Sequence, residues 1–438
     1  MDNEESMLAP SNQINALNSS KRGWRLLVLP VGLLALILSA RIAGSVQSSS
    51  VHQGPLRSSL TRQELAQALS QAPVGPGLPR TLEVSFSGKK RSARIEYTFD
   101  VRLQEAVEKM LLSSDPDYGA LAAVDPQSGR VLALASHESR RVTSKAHKPR
   151  SLDEHLALRA SFPSASIFKV VTAAAVIAEK RFTADTRVAF SGSNHTLYKK
   201  QVLTDHPNRW TRSMSLRDAF AKSVNTVFGK IGVFNLGAEP LREYAGRFGF
   251  NRSIASDLPV QPGKAPIPEN ADAWTLAEAA SGFTRENTMS PLQGSLIAAA
   301  LVNDGKMIAP QAVQSVWLED GQAVYQMNPS ESYDVVSPQV AAQMRELMRE
   351  TVVSGTSRKT FRGFHRGKTA SIDAGGKTGS LTGNDPEGKY DWFVGFGALQ
   401  GKKIALAALT IHKKQWRIKS SALARRAIET YLLPVRQR

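Results

Sequence analysis

Hydrophobic and polar positions follow three rhythms along this chain, and each predicts a different kind of element. The first is an uninterrupted run: Leu26–Ala40 carries no charge and is mostly apolar, with Lys21, Arg22 and Arg25 before it and Arg41 after it. It is shorter than the roughly 20 residues that a spanning helix needs. Extending Arg25 and Arg41 to the two interfaces makes it a transmembrane anchor over residues 24–46. The basic residues in front place residues 1–23, a polar stretch that reads as a disordered tail, in the cytoplasm and the rest of the chain outside. A cleaved signal peptide ending at Ala43-Gly44-Ser45 is the alternative, and the long, partly acidic leader argues against it.

The second rhythm has period two. Leu82, Val84 and Phe86, then Ala93, Ile95, Tyr97 and Phe99, predict two strands joined near Gly88–Arg91. More continuous apolar runs at Gly119–Val124 and Val131–Ser136, linked by Asp125-Pro126-Gln127-Ser128-Gly129, predict buried strands around a tight turn. Three further strands are expected at Gly375–Ser380, Tyr390–Ala398 and Lys403–Ile411.

The third rhythm is helical. Thr61-Arg62-Gln63-Glu64 is a capping box opening a helix to about Ala72. Helices follow at Val101–Ser113, after Ser166, from Ser215, at Glu239–Phe248, at Ser290–Asn303 and Ser337–Val353 (each with proline at its first turn), and at Ser421–Leu433. Strands at both ends with a helical middle predict an α+β fold: one sheet built from distant segments, with a helical lobe inserted in it. Residues 47–92 read as a linker with a small N-terminal segment, a short helix and a hairpin; residues 93–438 read as the main domain.

Composition narrows the function. The 438 residues have room for one large domain plus an appendage. The absence of cysteine excludes disulfides and thiolate metal sites. A formal charge of +18 points to an anionic partner. The basic residues are scattered, densest at Arg140–Arg150 and Lys413–Lys419, with no arginine-rich helix or RNP-like strand, so nucleic acid is not the expected partner. The histidines lack metalloprotease spacing, and Gly376-Lys377-Thr378 lacks the upstream glycine of a phosphate-binding loop. No metal or cofactor is expected.

What remains is nucleophile chemistry. Ser166 and Lys169 stand three apart at the start of an apolar helix, on one face, so that an attacking hydroxyl and its base can meet. Ser87-Gly88-Lys89-Lys90 has the same spacing but reads as a hairpin turn. Ser223-Val224-Asn225 and Lys377-Thr378-Gly379-Ser380 follow in order. Lys169 works as a base only if desolvation and a second cation, Lys377, keep it neutral. Ser223 can relay a proton between the lysines, and Asn225 can orient a substrate amide. Lys377 and Thr378 on an edge strand suit a terminal carboxylate, Gly379 lets a substrate lie against that strand, and the backbone N–H groups of Ser166 and Ser380 make an oxyanion hole. Lys368-Thr369-Ala370 imitates the third motif without its glycine.

From about Tyr97 to Leu433 the chain resembles the transpeptidase domain of penicillin-binding proteins. Beside the three motifs, the resemblance rests on Tyr97–Gln104, Ala123-Val124-Asp125-Pro126, Leu216-Arg217-Asp218-Ala219-Phe220, Ser290-Pro291-Leu292-Gln293, Val352-Val353-x-Gly355-Thr356 and Asp391–Phe396. It implies a five-stranded antiparallel sheet packed with helices beside an all-helical lobe. It also implies a serine-type D-Ala-D-Ala transpeptidase that cross-links peptidoglycan stem peptides, with Ser166 acylated, Lys169 as base, Ser223 and Asn225 as second motif and Lys377-Thr378-Gly379 as third. β-Lactams would acylate the same serine. A D,D-carboxypeptidase and a β-lactam-binding sensor or envelope scaffold are the alternatives. Two departures stand out: Pro163-Ser164-Ala165 precedes the nucleophile where Pro-Gly-Ser is usual, and Ser380 stands where threonine is usual. The short stretch between anchor and domain implies a monofunctional member served by a separate glycosyltransferase.

Overall fold

The computed structural model describes residues 59–72, 78–142 and 151–434. The expected tail and anchor, residues 1–46, and most of the basic stretch Arg140–Arg150 lie outside these residues. Among the described residues no helix is long and apolar enough to cross a membrane.

Local chemistry starts the elements where the sequence calls for them. Thr61 and Glu64 close both halves of a capping box on α1 (Arg62–Gln71). Ser87 and Gly88, both at positive φ, turn the hairpin of β1 (Thr81–Phe86) and β2 (Lys89–Tyr97). Asp100 accepts from the Leu103 N–H to open α2 (Val101–Ser114), which leads to β3 (Tyr118–Val124) and β4 (Val131–Glu138).

The helical middle contains α3 (Lys169–Lys180), α4 (Leu216–Ala221), α5 (Asn225–Lys230), α6 (Ala238–Arg247), α7 (Ala273–Ser281) and α8 (Pro291–Val302). Every residue of α8 is buried, which suits a helix apolar on all sides. Strands β5 (Val313–Leu318) and β6 (Ala323–Gln326) follow, then α9 (Pro338–Val353). The chain ends with β7 (Asp373–Asn384), β8 (Glu387–Leu399), β9 (Lys402–His412) and α10 (Ser420–Leu432).

The central sheet runs β7-β8-β9-β3-β4, all neighbours antiparallel, so that strands from both ends of the sequence share it. Its two faces pack separately. Leu121, Ala123, Phe393, Leu406 and Ala408 meet α2 and α10, while Ala120, Ala122, Val124, Trp392 and Val394 join the larger core that includes α8. Period-two alternation assigns each residue its side. β7 is one of its two edge strands, and it packs against the turn that carries Ser166.

Two expectations change. There is a second sheet of four strands, β1-β2-β5-β6, rather than one sheet alone. The hairpin pairs in it with β5, from Val313↔Tyr97 to Leu318↔Ala93. A separate N-terminal segment ending at residue 92 therefore cuts through β2 (Lys89–Tyr97). Leu82, Val84, Ala93 and Ile95 on one face of the hairpin are buried in one cluster with Leu65 and Leu69 of α1, and β5 and β6, which the sequence reading passed over, widen the sheet edge to edge.

Candidate active site

Ser166 sits in a 3-10 turn, Ala165–Phe168, that runs straight into α3. In 3-10 geometry residues i and i+3 eclipse, which stacks Ser166 over Lys169 more closely than an α-turn would. Lys169 Nζ lies 2.7 Å from Ser166 Oγ, 2.8 Å from Asn225 Oδ1 and 2.6 Å from the Ser281 carbonyl oxygen. The amide of Asn225 is oriented by its own partner, since its Nδ2 donates to the His195 carbonyl at 2.9 Å. Its oxygen must then face the lysine.

Ser223 occupies the bend between α4 and α5 with φ of 56°, a left-handed position that a serine holds only under constraint. Two neighbours supply it: the Val224 N–H bonds back to Ala219, and the Asn225 N–H bonds to Asn194. The bend aims Ser223 Oγ at Lys377 Nζ, 2.9 Å away on β7. Lys377 also donates to the Thr378 carbonyl at 2.8 Å, and Thr378 Oγ1 meets Thr356 Oγ1 at 2.6 Å.

Both lysines are fully buried. Burial, with the neighbouring Lys377 ammonium adding to it, holds Lys169 well below the usual lysine range. Burial alone brings Lys377 down to about 7. The Phe228 ring faces Lys169 and the Phe220 ring faces Lys377, so the walls are apolar but not inert toward cations.

A cleft of about 510 Å³ joins Ser166, Ser223, Asn225, Thr378, Gly379 and Ser380. The three motifs, distant in sequence, thus share one cavity. One detail differs from the sequence reading. Ser223 touches Lys377, while the contacts of Lys169 are Ser166, Asn225 and Ser281, so the expected relay is made at one end only in this state. Asn225 lines the cleft and also holds the lysine through Oδ1 and the His195 loop through Nδ2.

Gly379 also has a packing role. A Cβ there would meet Ile167 Cγ1 at 3.1 Å, the Ser164 carbonyl at 3.2 Å and the Ile167 nitrogen at 3.3 Å. The glycine lets β7 close on the turn that carries Ser166, beyond any service to a substrate. Sequence reasoning assigned no role to Ser281, Gly282, His195 or Thr356. Thr356 stands in a stretch that carried the family resemblance; Ser281 acts through its backbone carbonyl, which no side-chain pattern reveals. Lys368-Thr369, the imitation motif, lies in a 3-10 turn and not on a strand. Among the described residues no cluster of metal-ligating side chains occurs.

The chain is 28% identical over 358 residues to the peptidoglycan D,D-transpeptidase PbpA of Mycolicibacterium smegmatis, covering 75% of this chain and 70% of that protein. The crystal structure of PBPA from Mycobacterium tuberculosis superposes with a TM-score of 0.60 at 27% identity, over 79% of this chain and 82% of that one. The imipenem acyl-enzyme complex of penicillin-binding protein A from the same organism gives 0.60 at 26% identity, over 78% and 80%. The family model for the penicillin binding protein transpeptidase domain matches residues 119–429, and the chain belongs to that family.

Proposed function

We propose that this protein is a peptidoglycan D,D-transpeptidase that works through an acyl-enzyme on Ser166. The observation that carries the reading is the set of partners around Lys169. A neutral amine has two N–H bonds and one lone pair. Asn225 Oδ1 and the Ser281 carbonyl are acceptors that cannot donate, so they take the two N–H bonds. The lone pair is left for the Ser166 hydroxyl at 2.7 Å, which is the arrangement of a general base on its nucleophile.

In the proposed reaction Ser166 Oγ bonds to the carbonyl carbon of the penultimate D-alanine, and its proton passes to Lys169. The negative charge on the carbonyl oxygen is met by the backbone N–H groups of Ser166 and Ser380. Lys377 and Thr378 hold the terminal carboxylate. The C–N bond breaks, and the terminal D-alanine leaves with a proton supplied by Lys377 through Ser223. An amine of a neighbouring stem peptide then attacks the ester carbonyl carbon and passes its proton through Ser223 back to Lys377, while the C–O bond to Ser166 breaks and Lys169 returns its proton to Ser166 Oγ. The mycobacterial relative captured with imipenem supports acylation of a family member by a β-lactam.

Fluorescent penicillin is expected to label the wild type and not Ser166→Ala; a labelled Ser166→Ala variant overturns the assignment. Incubation with peptidoglycan precursors and a polymerase is expected to yield cross-linked muropeptide dimers. Tetrapeptide monomers alone would identify a D,D-carboxypeptidase instead, and labelling with neither product would identify a binding scaffold.

The same proposal carries a membrane anchor at residues 24–46, a catalytic domain outside the cytoplasmic membrane, and a separate glycosyltransferase that supplies glycan strands. Its support is the basic-flanked apolar run. Sedimentation of the full-length chain with membranes, released by detergent but not by salt, is the expected result.

A further inference from the structure

The Ser166 cleft continues beyond the residues used above. Its lining also takes in Leu381, Thr382, Lys389 and Lys419. Thr382 pairs with Lys389 across β7 and β8. Both lysines are exposed. We propose that this end of the cleft is a carboxylate-recognition subsite, by which the enzyme prefers donor peptides with free carboxylates on the residues just upstream of D-Ala-D-Ala. The inference rests on the transpeptidase reading, which sets the direction of the donor along β7.

With the terminal carboxylate at Lys377 and Thr378 and the attacked carbonyl beside Ser380, an extended donor advances about 3.4 Å per residue along the edge strand. The one or two residues before the attacked D-alanine then lie beside Leu381 and Thr382. What waits there is positive charge gathered by an aromatic ring. Lys389 Nζ stands 5.3 Å and Lys419 Nζ 5.8 Å from the centre of the Trp416 ring. Trp416 is 42% exposed, and it is seated against the His412 ring at 4.9 Å. A fixed ring that attracts two ammonium groups holds like charges close together, an arrangement that an anion relieves.

The protein offsets them only in part. Among the described residues neither lysine forms an ion pair. The Asp391 carboxylate lines the same cleft near enough for the charge of Lys419 to act on it, but its Oδ2 accepts from both the N–H and the hydroxyl of Ser420, at 2.8 and 2.9 Å, which ties it to the start of α10 and leaves Lys389 without a carboxylate partner. A third cation arrives from the segment after α7, where Arg285 Nε donates to the Thr382 carbonyl at 3.1 Å. That bond also occupies the strand edge, so a donor can pair with β7 only up to about this level. Beyond it, recognition falls to side chains, and those present are cationic.

The test compares two donors, an N-acetylated tetrapeptide with glutamate at both positions upstream of D-Ala-D-Ala and its glutamine counterpart. D-Alanine release and Ser166 acylation are followed with wild type and with the double variant Lys389→Gln/Lys419→Gln. The expected result is a kcat/KM preference of about fivefold for the glutamate donor in the wild type, the scale of two exposed ion pairs. It should shrink with added salt and fall close to one in the double variant that still labels with penicillin. Equal use of the two donors by the wild type, or a preference that survives in the double variant, overturns the subsite and leaves the transpeptidase reading standing. If neither donor acylates Ser166, both fall.

Discussion

Lys169 and Lys377, both fully buried, stand near enough for the charge of Lys377 to act on Lys169, and their hydrogen-bond partners are hydroxyl, amide and backbone carbonyl oxygens and not carboxylates. A buried ammonium without a counter-ion is expensive, and two side by side are worse. The fold keeps at least one of them neutral at ordinary pH, and that cost is what makes a lysine serviceable as a base.

The pH dependence of acylation follows. The kcat/KM for penicillin acylation should rise as Lys169 loses its proton, well below the usual lysine range, and fall again above about 7 as Lys377 loses the charge that holds the carboxylate. The two limbs belong to the coupled pair. Lys377→Arg keeps its charge and should move the alkaline limb outward. A wild-type profile that climbs without a break to pH 10 would show that neither amine is perturbed.

Asn225→Asp tests the same electrostatics from the other side. It places a carboxylate where Oδ1 now stands 2.8 Å from Lys169 Nζ. An opposite charge at that distance favours the protonated amine and moves its pKa up. Acylation near neutral pH should drop on the order of tenfold or more and recover in part as pH rises. An unchanged rate at pH 7 would remove Lys169 from the role of base.

Stability should carry the mark of Lys377. Its folded pKa of about 7 lies below the value of roughly 10.4 in an unfolded chain, so between these values the unfolded state binds the proton and the folded state does not. Wild-type stability therefore rises with pH across this window, relative to Lys377→Met. Urea unfolding of both proteins at pH 7 and pH 10 should show the wild type gaining several kcal/mol on the variant. Parallel curves would mean that Lys377 titrates normally.

Two glycines near the nucleophile should respond unequally to alanine. At Gly282, φ is +65° and a Cβ would meet the Ala165 carbonyl oxygen and carbon and, at 3.2 Å, the Ser166 nitrogen. Gly282→Ala should shift the Ser166 turn, lowering stability by about 1–3 kcal/mol and penicillin labelling with it. At Gly379 the contacts begin at 3.1 Å and φ is ordinary, so Gly379→Ala should cost less in stability while still slowing acylation. Equal thermal melts and equal labelling for the two variants would contradict this account of the packing.

Much of this site was legible beforehand because its parts are local. Ser166 and Lys169 are three residues apart, and helical geometry alone brings them together. The capping signals at Thr61, Ser290 and Ser337 likewise act within one turn, and the helices begin where they indicate. Strands β7, β8 and β9 appear at the expected places, β7 at twice the expected length and the others a few residues longer, because hydrogen bonding extends past the apolar stretch that marks them.

Other features depend on partners that no local pattern names. β5 and β6 are short, and they become strands by completing the sheet that the β1–β2 hairpin begins. The Ser281 carbonyl serves Lys169 through its backbone, whatever its side chain. Gly379, which lines the cleft, also seats the Ser166 turn, a fact set by the distance between two elements. By itself the sequence determined which groups can attack, accept a proton and bind an anion, and which of them are neighbours along a helix. The tertiary structure decided that Lys169 and Lys377 stand dry and close, because burial and proximity across more than two hundred residues are properties of packing, and the basicity of an amine depends on both.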